Sequence, residues 1–124
     1  MKTLLLLLFM LSGVLGTVQA QTCYYYVSQH ADSDFEVYKG EELKIIYSNI
    51  VSADCDENET AIGNEYHDAL KAKYPKTYFH TTSHIVWGPF DTRGEAGRKK
   101  RKQMGDDRAD DFKTIDFYFT YYGD

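Results

Sequence analysis

Thiols and prolines are scarce: the chain holds two cysteines, two prolines and a single tryptophan in 124 residues. Two cysteines cannot make a disulfide-dense miniprotein. No internal repeat or low-complexity linker interrupts the chain, so one small domain is expected. No apolar run suits a membrane span, which excludes a polytopic membrane protein. Bases are fewer than acids, 14 against 19, an imbalance that argues against nucleic acid as the main partner. The sequence contains no Gly-x-Ser-x-Gly elbow, no phosphate-binding loop and no His-Glu-x-x-His. Its acids are too numerous to single out a catalytic pair. No enzyme activity and no cofactor are therefore expected.

What is present begins with a leader. Lys2 supplies one positive charge, Thr3 to Val18 is apolar apart from small residues, and Val18-Gln19-Ala20 places a small residue just before Gln21. This is the order of a signal peptide over residues 1–20, followed by one secreted or periplasmic domain over 21–124. Removing it leaves 104 residues with 13 bases, 19 acids and a net charge of −6. In an oxidising compartment Cys23 and Cys55 would pair as a disulfide. A lipid-accepting role for Cys23 fits less well, because Gln21 and Thr22 separate it from the small residue Ala20.

Cys23-Tyr24-Tyr25-Tyr26-Val27 is aromatic and β-branched and reads as a strand, with a polar turn from His30 to Asp34. Phe35 and Val37, then Leu43, Ile45 and Tyr47, alternate with polar residues around Lys39-Gly40-Glu41, which predicts a hairpin running to about Val51. Ser52 to Glu59 is acidic and ends that strand. Ile62, Tyr66, Leu70 and Tyr74 recur every four residues and predict a helix over Thr60–Tyr74, stopped by Pro75. Tyr78-Phe79-His80 and Ile85-Val86-Trp87 read as strands flanking a Thr81–Ser83 loop. Gly88-Pro89 breaks the second of them. Thr92 with Glu95 forms a capping-box signature opening a helix through about Met104, and Gly105 to Asp111 reads as a charged loop. Ile115 to Tyr121 alternates cleanly as a final strand. The order predicts an α+β, ferredoxin-like βαββαβ fold: one antiparallel sheet, two helices on one face, and the N-terminal strand as an extra edge. The other face, rich in Tyr, would then be open to solvent or ligand.

The segment Ile85-Val86-Trp87-Gly88-Pro89-Phe90-Asp91-Thr92-Arg93-Gly94-Glu95-Ala96 resembles the second half of a SPOR (sporulation-related, peptidoglycan-binding) domain, over about Ile85–Met104. In that family a strand ends in Gly-Pro-Phe and a capped helix with a Glu-Ala pair follows. The resemblance implies binding of peptidoglycan glycan stripped of its peptides, on an exposed sheet face. It points to Trp87 and Phe90 as glycan-binding residues, since aromatic faces stack on sugar rings.

Other motifs have competing readings. Asp54, Asp56, Asn58 and Thr60, with Glu65 at the twelfth position, have the ligand spacing of a calcium loop. The sixth position, however, is Glu59 where a Gly is needed, and an acidic turn capping the next helix accounts for the residues better. His80 and His84 read as hairpin surface residues, and His30 and His67 as solvated or packed singles. Arg98-Lys99-Lys100-Arg101-Lys102 is a solvated helix face, a patch for an anionic surface polymer, or a processing site for a dibasic protease. Asn58-Glu59-Thr60 is a glycosylation sequon in a eukaryotic secretory route. The leading expectation is a secreted, non-catalytic module that binds peptidoglycan or another polysaccharide. The alternative is a structural or protein-interaction domain, or a precursor cut within Arg98–Lys102.

Overall fold

Strands β1 (Thr22–Ala31), β2 (Lys44–Ser48) and β3 (Val51–Asp54) precede helix α1 (Glu59–Lys73), and β4 (His84–Phe90), α2 (Arg93–Ala109) and β5 (Lys113–Phe117) follow it. These elements belong to a computed structural model that describes residues 21–31, 44–75 and 84–122. The 1–20 leader, the hairpin turn around Lys39–Glu41, and the Tyr78–His80 strand with its Thr81–Ser83 loop lie outside the described residues.

β1 is the centre of the sheet, which runs β3–β1–β2–β5 with β4 also bonded to β1. On one edge it pairs antiparallel with β4, Val27 opposite Val86 and Gln29 opposite His84. On the other edge β2 takes its second half and β3 its first, with Gln29 opposite Ile46 and Tyr25 opposite Val51. β2 and β3 are thus two halves of one strand, broken at Asn49-Ile50. β5 joins β2 in parallel, Ile115 opposite Ile46.

The α+β class stands, with five strands and two helices among the described residues. The finer expectations need correction. The N-terminal strand is central rather than an extra edge, and the sheet is mixed rather than antiparallel. The helices cover opposite faces rather than sharing one. Tyr25, Val27, Ile46, Ile115 and Phe117 form one core with Ile62, Tyr66 and Leu70 of α1. Tyr26, Ile45 and Tyr47 form a second core with Met104 of α2. The cause lies in β1 itself. Its residues 25–29 are buried without alternation, and a strand apolar on both faces is stable only between two layers.

Local chemistry fixes the helix ends. Asn58 caps α1, its Oδ1 accepting from the Thr60 amide at 2.9 Å. Tyr66 then packs edge-on against Phe117 and Phe119, with centroids 5.9 and 5.6 Å away. Thr92 caps α2 as its spacing predicts, its Oγ1 accepting from the Glu95 amide at 3.1 Å. α2 runs on past Met104 to Ala109, so most of the expected charged loop is helix. Ala96 and Met104 are its buried residues.

Two strands also differ from expectation. β1 continues through His30 to Ala31 because β2 and β4 pair with that stretch. β5 stops at Phe117, where its partner β2 ends at Ser48. The alternation persists beyond it, with Phe119 buried and its amide donating to Asn49 Oδ1 at 2.9 Å. Cys23 and Cys55 form the expected disulfide. Closing a loop of 32 residues contributes about 3–4 kcal/mol on the chain-entropy account. No helix among the described residues is long and apolar enough to cross a membrane.

Candidate functional site: a cleft beneath the second helix

An aromatic layer lies between the sheet and α2. The Tyr26 ring is parallel-stacked with Phe90, with centroids 5.9 Å apart and planes 5° apart. Trp87 is also stacked with it, at 6.2 Å and 18°. Tyr47 approaches the same ring at 6.3 Å. The strands explain this grouping: Tyr26 is opposite Trp87 across the β1–β4 ladder, and a register shift brings Phe90 onto the same face.

That shift centres on Gly88, whose φ is +134° and whose peptide to Pro89 is cis. A Cβ there would lie 2.6 Å from Tyr25 Cδ1 and 2.8 Å from the Tyr24 carbonyl oxygen. Only glycine fits such an approach. Gly88-Pro89 therefore bulges β4 without ending it, and the strand reaches Phe90.

Between this layer and the second half of α2 opens a cleft of about 260 Å³. Ser28, Ile45 and Tyr47 line it from the central strands, Ile85 and Trp87 from β4, and Gln103, Asp106 and Asp107 from the helix; His30 also borders it. The Trp87 Nε1–H donates to Ser28 Oγ at 3.0 Å, which fixes the indole plane. The Tyr26 hydroxyl donates to Gln103 Oε1, and the Tyr47 hydroxyl donates to Asp107 Oδ2. Burial, with the Asp107 charge adding to it, raises both phenols above their ordinary pKa. Both remain protonated donors at physiological pH. The arrangement offers a fixed apolar ring face beside carboxylate and amide oxygens, which suits a ligand carrying both C–H faces and hydroxyls.

The two aromatic residues singled out in the sequence part company here. Trp87 walls the cleft, whereas Phe90 lies behind Tyr26 and does not line it. Both are half-buried. Among the described residues the open Tyr-rich sheet face is absent, because α2 covers it, and the cleft lies at its margin. Tyr47, Gln103 and Asp107 were not singled out by sequence. Tyr47 had its alternation in β2 as a signal, and Gln103 its neutrality beside five bases. Ser28 had no signal, since its role depends on the β1–β4 register.

The other sequence candidates do not converge. Asp54 ends β3 opposite Thr22, Asn58 spends its side chain on the α1 cap, and Glu65 lies within that helix. Asp56 and Thr60 are both exposed, beside that cap. Among the described residues, no three His, Cys, Asp or Glu side chains are grouped to hold a metal. His84 is not a surface residue: it faces α1, where its ring lies 6.3 Å from His67, and His80 lies outside the described residues. A second hollow of about 280 Å³ opens where β2 gives way to β3, bordered by Arg93 and Tyr118. Tyr118 is 75% exposed there.

The chain matches no family model, no curated protein and no solved structure.

Proposed function

We propose that this chain is an exported, non-catalytic binding module that takes a segment of cell-wall glycan into the cleft between Trp87, Tyr47 and α2. The observation that carries the reading is the fixed indole of Trp87, held by Ser28 and backed by Tyr26, facing oxygen acceptors on the helix. A pyranose presents an apolar C–H face and a rim of hydroxyls. The first stacks on the indole; the second donates to Asp107, Asp106 and Gln103. Gln103 and Asp107 already accept from tyrosines, so their positions are set before a ligand arrives, which lowers the entropic cost of binding. The apolar leader and the Cys23–Cys55 disulfide support an exported location. The SPOR-like run from Ile85 to Ala96 supports peptidoglycan as the polymer, although the strand order departs from the ferredoxin-like arrangement.

Co-sedimentation with peptidoglycan, before and after an amidase strips its peptides, tests the reading. Stripping is expected to raise the bound fraction. Trp87→Ala is expected to weaken binding about tenfold, equivalent to about 1.4 kcal/mol. Gln103→Ala, on the exposed side of the layer, provides a second variant if Trp87→Ala fails to fold. No binding to either form of the polymer, or wild-type binding by both variants, would overturn the proposal.

A specific observation favours the second reading, an interaction domain: Ile85, Tyr118 and Tyr122 are 49%, 75% and 85% exposed. A mass that rises with concentration in light scattering would support it. Processing at Arg98–Lys102 has less support, because the run lies inside α2 and a protease needs extended backbone.

A further inference from the structure

Between Arg93 and Ala109 stand seven bases and three acids, a local charge of +4 in a chain whose net charge is −5. Neutralisation within the molecule is slight. Lys100, half-buried, pairs with Asp116 at 3.4 Å. Among the described residues, no carboxylate forms an ion pair with Arg98, Lys99, Arg101 or Lys102. All four are exposed. Arg98, Arg101 and Lys102 are three and four residues apart, so they share one face of the helix, opposite buried Ala96 and Met104. The two guanidinium groups lie back along the exposed surface of the helix. Arg98 Nη1 is 3.6 Å from where a Cβ on Gly94 would sit, and Arg101 Nη1 is 3.3 Å from the same point on Gly97. The glycines that weaken this helix thus leave room for its arginine heads.

From this we infer that the outward face of α2 binds a linear polyol-phosphate polymer, with Arg98 and Arg101 as phosphate forks and Lys102 as a third charge. The inference is independent of the cleft. Guanidinium groups engage phosphate oxygens two at a time, which favours phosphate over a diffuse negative surface. Arg98 and Lys102 are about 6 Å apart along the axis, so a chain with regularly recurring charges meets successive bases. An anionic bilayer suits this face less well, because it presents no large apolar side chain to insert. A nucleic acid suits it less well too, because no aromatic ring is there to stack a base.

The test is titration of the oxidised chain with poly(glycerol phosphate), followed at about 50 and 200 mM salt. Neutralising three charges predicts a roughly twentyfold loss of affinity across that range, at a slope of about −0.7 per charge on a single-stranded polyanion. The triple variant Arg98→Gln, Arg101→Gln, Lys102→Gln keeps good helix formers and is expected to melt as the wild type does. It is expected to bind at least tenfold more weakly. Trp87→Ala is expected to bind this polymer within twofold of wild type, whatever its effect on peptidoglycan. Wild-type affinity in the triple variant would overturn the inference. So would loss of polymer binding in a folded Trp87→Ala, or a preference for anionic phospholipid vesicles or single-stranded DNA at equal phosphate.

Discussion

Gly88 shows how one residue sets the aromatic layer. Its positive φ and its approach to Tyr25 and the Tyr24 carbonyl turn β4 so that Trp87 and Phe90 both face α2. Gly88→Ala is expected to cost on the order of 2–4 kcal/mol, from backbone strain together with the clash. Chemical denaturation measures this, and a loss below about 1 kcal/mol would show that β4 can relax around a methyl group. The sequence marked this position only as a break. A Gly-Pro pair signals a turn unless the strand on either side has a partner, and the partner, β1, is more than sixty residues away. Trp87 is pointed to by the SPOR-like run alone, and the structure places it on the wall of the cleft. The same resemblance points to Phe90, but the bulge puts that ring against Tyr26 and outside the cleft lining.

At the level of elements, the helices divide by how their stability arises. α1 has an apolar stripe that stands out in the sequence, and its ends fall within one residue of expectation. α2 buries only Ala96 and Met104, so the Thr92–Glu95 capping box marks its start while hydrophobic spacing gives no signal for its end. Gly105, read as the start of a loop, is helical, and a Cβ there would meet nothing within 4 Å. Gly105→Ala is expected to raise stability by about 0.5–1 kcal/mol, by removing backbone freedom from the unfolded chain. A higher denaturation midpoint with an unchanged slope would confirm it; a fall would mean that the helix ends before this residue. Alternation predicts β5 as far as Tyr121, past its end at Phe117, because it reports which side of a chain is apolar, not where its hydrogen-bonding neighbour stops.

The whole molecule depends on contacts that neither periodicity nor propensity could place. Opposite coverage by the two helices follows from β1 lying in the middle, and the unbroken run Tyr24–Val27 was the available clue. Where α1 meets β4, His67 and His84 face each other, with each Nδ1 buried and without a hydrogen-bond partner. Burial lowers both below the ordinary 6.5; Lys71 lowers His67 further against the opposing Asp68, and His67 lowers His84. The folded chain thus keeps these rings neutral where the unfolded chain already binds protons. The stability this supplies is complete above the unfolded value of 6.5 and is lost as pH falls below it through the depressed folded values. The melting temperature is expected to fall between about pH 7.5 and about pH 5.5. It is expected to fall less in the double variant His67→Gln, His84→Gln, and an equal fall in both would sink the assignment.

The central position of β1 also bears on how the chain acquires its shape. Among the described residues, the three strands that pair with β1 come later in the sequence, the last ending at Phe90. Synthesis makes the middle of the sheet first and its neighbours afterwards. Until β4 exists, Tyr24 to Val27 form an adhesive ribbon with one flank bare, in search of any strand that will align with it. Pairings this distant along the chain place folding toward the slow end for a domain of this size. The nascent protein is therefore most prone to self-association before its second half has been made.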